Sequence, residues 1–96
     1  MRGSESIINS LLVEVDSLTY RLRNINYSLN RTFNTGLIER LFKENQFIFY
    51  RLNEILKISK ILKKHNPDEF NFSSLLEEKC KRSLNETKTE RNLFFL

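Results

Sequence analysis

At 96 residues the chain has room for one modest domain, whose small core is only marginally stable by itself. Hydrophobic residues make up 40%, which excludes a wholly disordered chain, yet no apolar run approaches the roughly 20 residues of a membrane span. The net charge of +4 is too mild to imply a nucleic-acid partner by itself, and a single cysteine excludes an intrachain disulfide and points to a reducing, cytoplasmic setting.

The N-terminal Met-Arg-Gly-Ser-Glu has none of the apolar core of a signal peptide. From there a seven-residue rhythm takes over. Ile8, Leu11, Val15, Leu18, Leu22, Ile25 and Leu29 alternate steps of three and four, the spacing that stacks one apolar line along a helix. The spacing predicts a helix over about 6–30, capped by Ser4 or Ser6. Glu14 and Arg21 flank the line, where they can pair with a neighbouring helix. Val13, Tyr20 and Tyr27 form a second, weaker line whose tyrosines favour partial cover, by another helix or by the C-terminal segment.

Asn30 to Gly36 has the composition of a turn, with Asn34 or Thr35 as the next cap. A connection this short makes the two long helices antiparallel neighbours. The second helix is predicted over about 37–64. Its line is Ile38, Leu41, Asn45, Ile48, Leu52, Ile55, Ser59 and Leu62, with two polar interruptions that can fix register at some cost in stability. Phe42, Phe49 and Leu56 widen it on one side, and Phe47, Tyr50, Ile58 and Ile61 fall largely on another. A helix apolar on so much of its circumference touches more than one neighbour.

Asn66-Pro67 ends that helix, because proline cannot continue the hydrogen-bond ladder. A short third helix is predicted over about 74–86, opened by a capping box of Ser74 and Glu77 and presenting Leu76, Cys80 and Leu84. Phe70 and Phe72 are expected to pin the connection to the end of the hairpin. Residues 87–96 form a tail that closes on Leu93, Phe94, Phe95 and Leu96. Phe94 and Phe95 either fold back onto the bundle or anchor a partner.

The fold expected for this single domain, 1–96, is therefore all-α: a long antiparallel hairpin plus a short third helix. A hairpin alone has more apolar surface than it can hide, so a second copy is expected to complete a four-helix-bundle core. A monomeric three-helix bundle and assembly with a different protein are the competing solutions.

No residue pattern supports catalysis. His65 is the only histidine and suits the negative end of the second helix. One histidine and one distant cysteine lack the ligand count of a zinc site, and Cys80 has no base beside it in the sequence. No glycine-rich phosphate loop exists, so no metal, cofactor or enzymatic activity is expected. The excess positive charge lies in the second helix, whose end carries Lys57, Lys60, Lys63 and Lys64. Three of these, Lys57, Lys60 and Lys64, share a face that suits phosphate contacts. The expected role is a non-catalytic interaction module, a small adaptor or regulator acting through homodimerisation and partner binding. Its contacts would be Tyr20, Tyr27, Phe47, Tyr50, Phe94 and Phe95. A regulator that binds nucleic acid through the lysine cluster is the alternative.

Overall fold

The computed structural model describes residues 2–66, 68 and 70–86, with side chains from residue 6 onward except that of Phe70. Three helices account for nearly all of it: α1 (Arg2–Leu29), α2 (Thr35–His65) and α3 (Phe70–Glu86). No described residue lies in a strand. Each helix packs on the other two, giving an elongated three-helix bundle.

Helix α1 is held chiefly by the packing of its apolar face, as helices in folded proteins generally are. All seven residues of its apolar line, Ile8 to Leu29, are buried within the one chain. The helix starts at Arg2, so Ser4 and Ser6 lie inside it instead of capping it. After Leu29 the chain turns sharply, with the amides of Arg31 and Thr32 both donating to the Ser28 carbonyl. Asn34 then caps α2, its Oδ1 accepting from the Leu37 amide at 3.0 Å.

Along α2, Asn45, Ile48, Leu52, Ile55 and Ser59 are buried, and Ile38, Leu41 and Leu62 are half-buried against the same core. The Ser59 hydroxyl donates to the Leu56 carbonyl at 2.7 Å. Its polarity is thus met within its own turn and asks nothing of a partner helix. Ion pairs tie α2 to α1: Arg21 meets Glu44, and Arg51 clasps Glu14 with both Nε and Nη2. The helix ends at His65, and its cap Asn66, with φ of −131° and ψ of 72°, has left the helical region ahead of Pro67.

Helix α3 begins at Phe70, four residues before the expected capping box. The reason lies in its buried face. Ser73, Leu76, Cys80 and Ser83 are the buried positions, spaced 3, 4 and 3, and Ser73 can join that face only if the helix has already formed around it. Leu75 and Phe72 remain largely exposed, and Leu84 is half-buried. Three of the four buried side chains are small, so α3 lies close in the groove between its neighbours. Polar contacts reach across that closeness. Thr19 Oγ1 donates to the Val15 carbonyl, which leaves the Ser83 hydroxyl to donate to Thr19. Asn26 Nδ2 donates to the Glu86 carbonyl at 2.9 Å, and Lys79 pairs with Asp16 at 3.0 Å. Glu77 bridges Lys81 and Lys63, at 2.9 and 3.5 Å, instead of closing a cap.

Candidate interaction surfaces

With the seams closed, the chemistry left for contact is on the outside. Val13, Tyr20 and Tyr27 point away from the buried line of α1 and are well exposed, so no described element covers them. The ring of Tyr27 is still occupied on one face, where the Arg31 guanidinium lies 4.3 Å from its centroid. On α2, Phe47 and Tyr50 are 63% and 70% exposed, with Ile61 on the same outer flank. Tyr50 meets Phe49 edge-on, ring centroids 5.8 Å apart. The turn adds Phe33, 90% exposed, the most open large hydrophobic side chain among those described. Sequence periodicity passes over Phe33 because it stands alone in a polar turn. Phe94 and Phe95 lie outside the described residues.

The lysine cluster divides in two. Lys63 is half-buried and faces Glu77, which makes it part of the α2–α3 contact. Lys57, Lys60 and Lys64 are exposed and form no ion pair among the described residues. Tyr50, Lys57 and Lys64 follow one another at seven-residue steps, placing an aromatic ring in line with two of the lysines. His65 is the exposed last residue of α2, in a final turn with Lys63 and Lys64 that suits the negative helix end.

Cys80 is fully buried, and burial, with smaller contributions from the charges of Glu14 and Glu77, pushes its thiol up to about 11. It stays protonated at neutral pH and serves as a small packing group. Glu14 is held below its ordinary value of 4.5 chiefly by its hydrogen bonds to Arg51, and Glu77 by Lys81 with help from Lys63. These shifts come from structural pairs, since each carboxylate is engaged by a cation from a packed element or its own helix. Among the described residues no three His, Cys, Asp or Glu side chains gather as a metal site, and no helix is long and apolar enough to cross a membrane. Compared with protein-family models, curated proteins and solved structures, the chain matches none.

Proposed function

We propose that this chain is a non-catalytic interaction module, a small adaptor or regulator whose work is association with itself and with a protein partner. The observation that carries this is the contrast between closed seams and open rings: Phe33, Phe47 and Tyr50 stay exposed although every residue of the α1 line is buried. Large aromatic side chains on an outer face are the usual anchors of protein contacts. The long helices are taken as an antiparallel hairpin, which the order of the Glu14–Arg51 and Arg21–Glu44 pairs supports. Because one chain already buries the α1 line, a homodimer would join through outer faces and not by completing a four-helix core. A reducing, cytoplasmic setting suits a lone buried thiol.

Static light scattering over a micromolar concentration series tests this directly, paired with affinity capture under nuclease treatment. A dimer, or a protein captured independently of nucleic acid, is the expected result. A monomer throughout that captures nothing overturns it.

These lysines, exposed and without an ion pair among the described residues, favour one second reading, a regulator that grips a nucleic-acid backbone with Lys57, Lys60 and Lys64 and stacks a base on Tyr50. It predicts salt-dependent binding to DNA or RNA that is lost when the three lysines become glutamate. No binding at low salt removes it.

A further inference from the structure

The outer flank of α2 has an order of its own. Phe33, Arg40, Phe47, Glu54 and Ile61 stand seven residues apart, Phe33 in the turn and the other four on the helix. Seven residues are close to two helical turns, so the four helical positions, Arg40 to Ile61, follow one line with a slow drift, and Phe33 stands in the turn ahead of it. All five are exposed. Read from either end, the line runs apolar, charged, apolar, charged, apolar, with opposite charges on the two sides of Phe47.

Such a line is complementary to its own reverse. Turned end for end about Phe47, it lays Arg40 against Glu54 of the copy and Glu54 against Arg40, so one symmetric contact forms the ion pair twice. The same rotation sets Phe47 against its own counterpart and brings each Ile61 toward the turn that carries Phe33 of the other copy. Other alignments lose this. Parallel pairing stacks Arg40 on Arg40 and Glu54 on Glu54. A slip of one heptad in either direction puts each charge against an apolar group.

The charges are free to be used in this way. Arg40 forms no ion pair among the described residues. Glu54 holds only Nη1 of Arg51, at 2.9 Å, and Arg51 keeps its two bonds to Glu14 if Glu54 turns outward. On the side toward α1 the next outward line is Ser10, Ser17 and Asn24, all exposed and short enough to let a second body approach. From Arg40 to Ile61 the helical part of the line covers about 32 Å at 1.5 Å per residue, against a bundle 49 Å long.

We infer that a second copy of this chain docks on this line as a two-fold dimer, α2 running antiparallel to the α2 of its mate, with Phe47 on the axis and reciprocal Arg40–Glu54 pairs. The inference rests on the association reading above and gives it a face and a geometry.

Sedimentation equilibrium of the full chain at low salt provides the test. Arg40→Glu and Glu54→Arg should each weaken dimerisation about tenfold, because one swap sets like charges together at both symmetric positions. The double variant should return to within about threefold of the parent, and circular dichroism should show each variant as helical as the parent. Phe47→Cys, at the axis, should cross-link to a covalent dimer on mild oxidation, and Tyr20→Cys should not. If the parent dimerises but the swaps leave its affinity unchanged and Phe47→Cys stays monomeric, this face is wrong and the association reading survives. A parent that is monomeric at every concentration, with no cross-link through Phe47→Cys, overturns both this inference and homodimerisation.

Discussion

The buried line of α1 and the outward line of α2 share a seven-residue rhythm and have opposite fates. From Ile8 to Leu29 the inner line is wholly apolar, and the bundle closes over all of it. From Phe33 to Ile61 the outer line alternates rings and aliphatics with single charges, and all of it stays exposed. Periodicity places residues on one side of a helix, but the fill at those positions decides what that side meets. An unbroken aliphatic line suits permanent burial, since each Leu or Ile contributes about 1.5–3 kcal/mol when removed from water. A line broken by charges cannot enter a core without stranding them, so it remains outside as a surface with directional content.

The hardest test of this contrast is Leu22→Ala. Leu22 is fully buried within the inner line, and its loss should destabilise the chain by about 2–5 kcal/mol in urea unfolding. For a domain of this size that approaches the whole stability, so cooperative unfolding is expected to be lost or to shift to very low denaturant. A cost under about 1 kcal/mol would mean that the inner line is not the core.

The next effect concerns α3. Cys80 is fully buried on a face otherwise made of Ser73, Leu76 and Ser83, and Cys80→Leu should cost about 1–3 kcal/mol by forcing α3 away from its neighbours. If Leu is accepted without loss, α3 does not lie as close as its small side chains indicate.

This face also marks the limit of what sequence alone discloses. The three helices and the α1 line were legible because large apolar residues recur at helical spacing, and the cap at Asn34 because its side chain suits that role. The seam of α3 was not, because a search for apolar periodicity finds Leu76, Cys80 and Leu84 and passes over Ser73 and Ser83. In a chain without alanine, serine and cysteine take the positions where helices come closest, and a serine carries no hydrophobic signal. The same blindness put the start of α3 at Ser74. The outer faces were legible as residues but not as exposed ones, since whether Tyr20 and Tyr27 are covered depends on where every other helix lies.

A smaller effect follows from the ion pairs that stitch the helices. Glu14 and Glu77 are held below 4.5 in the folded state by Arg51 and by Lys81 with Lys63. Below that value the unfolded chain binds more protons than the folded one, so stability rises with pH through this window. The contribution is complete above the unfolded value and is lost as pH falls through the folded values. Urea midpoints between pH 3 and 6 should therefore decline toward the acid side, and Glu14→Gln should flatten the decline. These pairs are partly exposed, so added salt should weaken the effect as well.

The smallest expected effect tests the outer line most sharply. Phe47→Gln removes the central ring of that line from a position 63% exposed, and at high dilution it should move the unfolding free energy by no more than about 0.5 kcal/mol. The comparison with Leu22→Ala is then between two large apolar residues on lines of the same period, one worth several kcal/mol and the other almost nothing. Concentration separates absence of a role from a role in association. A dimer is stabilised by mass action, so the melting temperature of the parent should climb as the protein is concentrated, and that of Phe47→Gln should stay nearly flat. Equal slopes would leave Phe47 outside any self-contact. A loss above about 1 kcal/mol at high dilution would place it inside the fold, and the division between a closed inner line and an open outer one would fail at its central residue.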